Sequence, residues 1–569
     1  MEEKTEMYDL LMRGGTIVDG TGAPAFPADL AIKDGRLVAL GELTDAQAER
    51  ILDCSGLYVS PGWIDFHGHA DWTVLDHPIG LNLLLQGCTL TVSGNCGLGA
   101  APVRGRLTEL LRRGEGEVPH TGYKGYNAAT YEAMAQRFPT LEWSFGQFLA
   151  EVEKAQPGVN LVQLASHVPI RQCVMGHDSR PATEDEISHM QRLVEECLDE
   201  GAFGFSSGLV YNPVCWSQTS EVVALARQAA KRGLLFAAHQ RGERETNIEA
   251  TQELIEVAEK AEVRTNISHL QSKYPCFGNG TQKIEMLAAA RARGVDISCD
   301  YEVYNMNAAS LNSFLQIYFY TPEQLLEMLR TREGREQIKR TWRQIDPWHP
   351  MGRYGPGGVP YRRAWDRVKI WDCPHDRALE GKSIAAVAAL RGQEPEETLF
   401  DLTLAENGRG PRMINDYIED EHYRVIPWDH CILPSIDTGL FDPAQSFQPI
   451  DFRYQLETGA PSTIGMAPRV LGQYVREERI FSLEEGVRRM TSLPAERLGL
   501  TDRGVIKAGA WADLVIFDKD KVAMRGPNPD PSKPETCWPA GISYVLVNGV
   551  VAMEGHRYTG ARAGKVLRP

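Results

Sequence analysis

The chain has 569 residues, too many for one compact module. At ~150 residues per unit it suggests three or four, although an α/β barrel alone often fills about 250. Hydrophobic residues make up 43% and charged ones 24%, with 53 Gly and 33 Pro, a balance that excludes a disordered, collagenous or coiled-coil chain. The net charge of −16 gives no general attraction for nucleic acid or acidic membranes. The first ten residues are acidic and polar, with neither the basic nor the apolar region of a signal peptide, and no run of about 18 uncharged apolar residues follows. Eleven cysteines are scattered without a short framework, which reads as reduced thiols. The expectation is a soluble cytoplasmic protein with no nucleic-acid or membrane partner. Its oligomeric state is left open.

Taken in chain order, residues 9–20 and 29–40 come first as β segments, with Asp34-Gly35 as a hairpin signal. Eight apolar, β-branched or small-residue runs follow, each ending in polar residues: 62–66, 89–93, 160–165, 202–206, 234–238, 264–268, 295–299 and 431–435. Most are separated by helix-patterned segments, such as 183–200, which opens on the capping box Thr183-Glu-Asp-Glu186. Eight such units predict an α/β fold, a (β/α)8 TIM-type barrel with its site at the C-terminal strand ends. A stretch of about 305–430, rich in Trp, Pro, Gly and Arg, reads as a partly helical insertion over the barrel mouth. Two further β segments, 512–517 and 544–553, close the chain, the latter with Asn548-Gly549 as its turn. Neither end can bury a core alone, so residues 1–60 and 491–569 are expected to build one small β-sandwich beside a barrel of residues 61–490.

Metal-binding side chains sit just past these strands. His67-Gly-His69 follows the first; two His at i and i+2 of an extended segment point to one side. Cys96 follows the second strand, His239 the fifth, His269 the sixth and Asp437 the eighth. Singly, each has a bland explanation as an incidental or hydrogen-bonded side chain. Jointly, five strands deliver N, S and O donors to one face. Four His, one Cys and one Asp suit zinc better than Mg²⁺ or Ca²⁺, which prefer oxygen shells.

The motifs Val59-Ser-Pro-Gly-Trp-Ile-Asp-Phe-His67-Gly-His69, Ser93-Gly-Asn-Cys96-Gly97, Ala238-His239-Gln-Arg-Gly-Glu243 and Ile267-Ser-His269-Leu270 resemble the amidohydrolase superfamily, and within it the N-acyl-D-amino-acid deacylase (D-aminoacylase) branch. The stretches from Pro468 to Glu478, Thr491 to Leu500 and Gly541 to Leu567 match as well, so the resemblance spans nearly the whole chain. Many relatives bridge two metals with a carboxylated Lys or a Glu on the fourth strand. The segment 202–209 has neither, and in this branch a Cys after the second strand takes that role. The resemblance thus implies a tight zinc site of Cys96, His239 and His269, and a second, weaker one lined by His67, His69 and Asp437.

Zinc in an open site lowers the pKa of water towards ~7 and polarises a carbonyl. Asp437 is the expected general acid/base, with a purely structural ligand as the alternative. Tyr211 is the expected oxyanion donor, with core packing as its alternative. His167, in a run that resembles the branch's Gly-His-x-x-x-Arg pattern, is expected to line the pocket or support it, and Arg241 to contact substrate or pair with Glu243. The branch reads a substrate carboxylate with a Lys two residues after the sixth-strand His, a Tyr after strand seven and an Arg in a His-Pro-Arg motif. Here those places hold Gln271, Glu302 (with Tyr304 nearby) and Ser462. Each lost charge-assisted hydrogen bond is worth ~1.5–3 kcal/mol. The expectation is a zinc-dependent hydrolase of a linear amide, shifted away from free α-carboxylate substrates. Lys273, Arg353, Arg362 or Arg363 would restore the missing charge, giving a true N-acyl-D-amino-acid deacylase. A cyclic amide, carbamate or lactone hydrolase and an inactive barrel scaffold are the remaining alternatives.

Overall fold

Five strands built on apolar alternation open the chain: β1 (Tyr8–Ile17), β2 (Phe26–Lys33), β3 (Arg36–Gly41), β4 (Ala48–Asp53) and β5 (Tyr58–Pro61). In this computed structural model, residues 7–113, 134–211, 213–243, 246–272, 276, 278–303, 306–310, 322–344, 365–366, 368–406, 412–416, 421–443, 462–525 and 538–569 are described. The barrel strands follow as β6 (Trp63–Asp65), β7 (Cys88–Ser93), β8 (Asn160–Gln163), β9 (Ala165–Ser166), β10 (Gly204–Gly208), β11 (Leu235–His239), β12 (Thr265–Ile267) and β13 (Ile297–Asp300). Only Leu164 separates β8 from β9, so the two act as one barrel strand. Helices cross back between strands. The helix Glu184–Asp199 starts on the expected capping box, Thr183 Oγ1 accepting from the Glu186 N–H.

After β13 comes the insertion, which is more regular than its composition suggested. It contains β14 (Met306–Ser310), β15 (Val368–Asp372) and β16 (Arg412–Asp416), paired antiparallel in the order β14-β16-β15. Helices such as Arg332–Gln344 and Pro395–Ala405 accompany them. Leu325, Leu329, Ile370, Leu399 and Phe400 give it an apolar cluster of its own. The last barrel strand is β17 (Cys431–Ile432), which pairs with β13. Parallel ladders run β6-β7-β8 and β9-β10-β11-β12-β13-β17. The ring closes beyond the eighth strand, where the Asp437 N–H meets the His67 carbonyl at 2.7 Å and the His69 N–H meets Thr438 at 2.8 Å. Ile64, Leu90, Val162, Leu235 and Ile432, from strands all round the ring, meet in one cluster with Leu493 and Leu498 of the helix Ser492–Leu498.

The chain ends in β18 (Leu514–Phe517), β19 (Ile542–Val547), β20 (Val550–Glu554) and β21 (Arg557–Tyr558). β18 pairs antiparallel with β5, Leu514 opposite Pro61 and Phe517 opposite Tyr58, so the two chain ends do form one β unit. It is a nine-stranded sheet, β21-β20-β19-β18-β5-β1-β2-β3, with β4 on β1. Both expected hairpin turns have two consecutive positive-φ residues, Asp34-Gly35 (51° and 75°) and Asn548-Gly549 (48° and 83°), as a tight two-residue turn requires. The sheet curls until these turns lie close to one segment, with Ala512 N–H bonding the Gly35 carbonyl and Gly549 N–H bonding the Ala512 carbonyl, both at 2.9 Å. Leu10, Ile32, Leu37, Leu514 and Leu546 fill the space enclosed. Among the described residues no disulfide is present, and no helix is long and apolar enough to cross a membrane.

Sheet and barrel are joined by a buried polar knot. Asp513 accepts both Asn160 Nδ2 (3.2 Å) and the Asn548 N–H (2.7 Å) and forms an ion pair with Arg503. Removing one partner of a buried pair leaves an uncompensated charge, at a cost of about 3–5 kcal/mol. Asp513→Ala is therefore expected to lower the calorimetric Tm clearly, whereas an unchanged Tm would show that the knot carries little of the joint's stability.

Candidate metal centre

The six expected donors converge. His67 and His69 follow β6, Cys96 lies in the turn after β7, His239 ends β11, His269 lies beyond β12 and Asp437 beyond β17. Cys96 Sγ is 3.1 Å from His67 Nε2, 3.4 Å from His269 Nε2 and 3.6 Å from His239 Nδ1. Asp437 Oδ1 is 2.9 Å from His69 Nε2 and 3.7 Å from His67 Nε2. The histidines and the cysteine are all buried, while the Asp437 side chain keeps 17% of its surface exposed. Among the described residues, three overlapping trios bring their donor atoms within 4.8 Å: His67-Cys96-His269, His67-His69-Asp437 and His239-Glu243-His269.

The backbone is bent to achieve this. Cys96, His269 and Asp437 all occupy the left-handed region, with φ of 54°, 32° and 52°, a conformation that costs a non-glycine residue about 1–3 kcal/mol. Fixed partners hold each of these bends. Asn95 Nδ2 donates to the Val92 carbonyl (3.0 Å) and the Phe66 carbonyl (3.3 Å) beside Cys96. The His269 N–H donates to Asp300 Oδ1 at 2.8 Å. Gly208 of β10 packs against the Cys96 turn so closely that a Cβ there would strike the Cys96 carbonyl.

Electrostatics marks the cluster as a cation site. Burial pushes the Cys96 thiol up, but the charges of His67 and His269 and hydrogen bonds from His239 and His269 outweigh it and hold the thiol well below its ordinary range. Burial disfavours charge on His67 and His269 as well, yet Cys96 together with Asp300 raises the first and Cys96 together with Glu243 raises the second, both well above the usual imidazole range. His69, opposed by burial and favoured by Asp437, rises to about 9. Asp437 falls well below a normal carboxyl because His69, His67 and His269 overcome its burial. His239 moves down, through burial and the neighbouring His269. A buried thiolate, imidazoles and carboxylates that stabilise one another as ions are the donors a borderline-soft divalent metal takes, and a metal would replace the protons they now share.

The other sequence-predicted residues divide. Tyr211 stands at the rim, its hydroxyl 3.5 Å from His239 Nδ1. Gln271 and Glu302 are buried together, Gln271 Nε2 donating to Glu302 Oε2 at 3.1 Å. His167 is fully buried between Ser207 Oγ (2.9 Å) and Glu221 Oε1 (3.1 Å), which makes it a support within the barrel wall. Arg241 does not pair with Glu243. Its guanidinium meets Glu253 of the helix Asn247–Ala261 at 2.8 and 2.9 Å and the Cys215 carbonyl at 3.0 Å. Ser462 opens the helix Ser462–Arg469, its side chain lying outside the described residues, as do Tyr304, Lys273, Arg353, Arg362 and Arg363.

Two carboxylates were missed as contributors. Glu243 approaches the far nitrogens of both strand-five and strand-six histidines, 3.3 Å from His269 Nδ1 and 3.9 Å from His239 Nε2. Asp300 lies 3.4 Å from His67 Nδ1. Glu243 stands four residues past His239 and Asp300 ends the seventh strand, positions that face the site in this type of barrel. That placement was the only signal available.

A parallel barrel that gathers imidazole, thiolate and carboxylate donors at its C-terminal strand ends is the framework of a metal-dependent hydrolase. Residues 360–553 match the Amidohydrolase family. The N-acyl-D-glutamate deacylase of Alcaligenes xylosoxydans xylosoxydans is 31% identical over 99% of this chain and 97% of its own length. The structure of N-acyl-D-glutamate deacylase from Bordetella bronchiseptica, complexed with zinc and a phosphonate mimic of the tetrahedral intermediate, covers 99% of this chain and 100% of its own at a TM-score of 0.73 and 29% identity. A D-aminoacylase structure that concerns its binuclear metal centre covers the same shares at a TM-score of 0.74 and 27% identity. The chain belongs to the amidohydrolase family, in its D-aminoacylase-like branch, and is a metal-dependent hydrolase of linear amide C–N bonds. Cys96→Ala should abolish tight metal binding, measured as metal per chain after dialysis; an unchanged stoichiometry would refute the role of this thiol.

Proposed function

We propose that this chain uses zinc, held tightly by Cys96, His239 and His269 with a weaker place at His67, His69 and Asp437, to hydrolyse an N-acyl amine whose amine portion is neutral or cationic. The buried Gln271–Glu302 pair, 3.1 Å apart, carries the selectivity. By the resemblance it stands where the branch reads a substrate carboxylate with a Lys and a Tyr, and neither Gln271 nor Glu302 supplies a cation or a phenol there. Lys283, fully buried, donates to the Gln271 backbone carbonyl at 2.6 Å.

Bound zinc would supply Lewis acidity, polarising the amide carbonyl and making water acidic enough to attack near neutral pH. The chain's own groups do the rest. Asp437, its carboxyl held well below the ordinary range by His69, His67 and His269 and the most open of its trio with His67 and His69, takes the proton of the attacking water at its carboxylate and returns it to the departing nitrogen. Tyr211, hydroxyl towards His239, donates to the oxygen on which charge develops. Buried walls around His67, His69 and Cys96 exclude bulk water.

A second reading, a true N-acyl-D-amino-acid deacylase, is favoured by the 31% identity to the Alcaligenes N-acyl-D-glutamate deacylase over nearly the whole chain. The two separate on zinc-loaded protein with an N-acyl-D-amino acid and the same N-acyl amine lacking its carboxylate. The proposal expects the decarboxylated amide to have the higher kcat/KM. A preference for the acid of about tenfold, the equivalent of ~1.5 kcal/mol and thus of one charge-assisted hydrogen bond, would establish the deacylase instead. Asp437→Asn should keep the tightly held metal at Cys96, His239 and His269 and lose turnover by about 10²–10⁴; near-normal kcat would remove Asp437 as the proton carrier.

A further inference from the structure

Asp300, the last residue of β13, is fully buried and touches both halves of the metal centre. Oδ1 accepts the His269 N–H at 2.8 Å and lies 3.4 Å from His67 Nδ1. Oδ2 accepts Asn266 Nδ2 at 2.6 Å, and Asn266 Oδ1 in turn accepts the Ser298 hydroxyl at 2.8 Å. The Asp300 carbonyl takes the Leu270 N–H at 2.9 Å. One residue of strand seven thus holds the strained backbone of His269 from strand six and lies beside the ring of His67 from strand one, whose opposite nitrogen faces Cys96 at 3.1 Å. A carboxylate on the far nitrogen of a metal-binding histidine sets its tautomer and ring orientation and raises its basicity, and losing such a partner typically costs about 10–100-fold in metal affinity.

We propose that Asp300 is a positioning residue that couples the two half-sites, holding His67 and His269 in register so that one metal-binding geometry serves both. The inference rests on the reading of the cluster as a metal centre. Asp300→Asn is a mild probe, because rotation of the Asn266 amide would preserve its hydrogen bonds and only the charge would go.

The test is Co²⁺ titration of metal-stripped protein, followed by the thiolate-to-cobalt and d–d absorption bands, for wild type, Asp300→Asn, His67→Ala and the double variant. The expected result is an affinity at least about tenfold weaker in Asp300→Asn, with altered d–d bands and an unchanged Tm of the metal-free protein. The double variant should lose less than the product of the two single losses, since part of Asp300's effect runs through His67. An Asp300→Asn affinity within about threefold of wild type, or a double loss equal to the product, would overturn the coupling. If Asp300→Asn fails to fold, Asn266→Ala, which removes the group behind the carboxylate, takes its place under the same criteria. Wild-type protein that takes up no cobalt would defeat the metal-centre reading itself, an outcome distinct from any failure of the coupling.

Discussion

A thiolate buried among imidazoles is the constraint on which the rest of this structure turns. Cys96 Sγ has ring nitrogens of three histidines within 3.1–3.6 Å, and a lone ion in such surroundings would cost several kcal/mol even after relaxation. The donors are tolerable only together, each charge answered by the others or by a cation. No single segment can bring four imidazoles to one point. A ring of parallel strands can, because each strand end delivers one or two donors to the same face. The closing bonds from Asp437 to His67 and from His69 to Thr438 are part of the site for this reason: they join first strand to eighth where the donors must meet.

Convergence has a local cost, and the fold concentrates its polar support where that cost arises. Three of the donors sit in left-handed backbone, and each bend is tied by a buried side chain or a cross-ring backbone bond. Asp65 does similar work one layer below. It accepts Thr91 Oγ1 at 2.7 Å, the Ile436 N–H at 3.2 Å and the His67 N–H at 3.3 Å, linking strands one, two and eight. Such buried carboxylates would destabilise a barrel without a site. Here they hold donors whose positions matter to tenths of an ångström.

The strand ends and the loops beyond them carry different kinds of side chain. The donor-type side chains lie at strand ends and in the tight turns beside them, and Gln271 and Glu302 follow two residues past His269 and Asp300.

Much of this was legible in the sequence, and the limits follow a physical boundary. All eight barrel strands, both hairpin turns and the Thr183 capping box were readable because each depends on local periodicity, turn geometry or a three-residue spacing. The meeting of His67, His69, Cys96, His239, His269 and Asp437 on one face was readable because such side chains at strand ends have few other reasons to coincide. What the sequence by itself determined is therefore the type and order of the barrel strands, with the chemical kind of the site, while the strands of the insertion went unread. Only the tertiary structure decided who faces whom. Arg241 and Glu243 are two residues apart, yet Arg241 pairs with Glu253 because the helix Asn247–Ala261 packs back against it. Glu243 is thereby left facing His269, and Asp300 reaches across from strand seven to strands six and one. Such partnerships depend on distances set by the closed ring, and no local pattern encodes a distance between strands far apart in the chain.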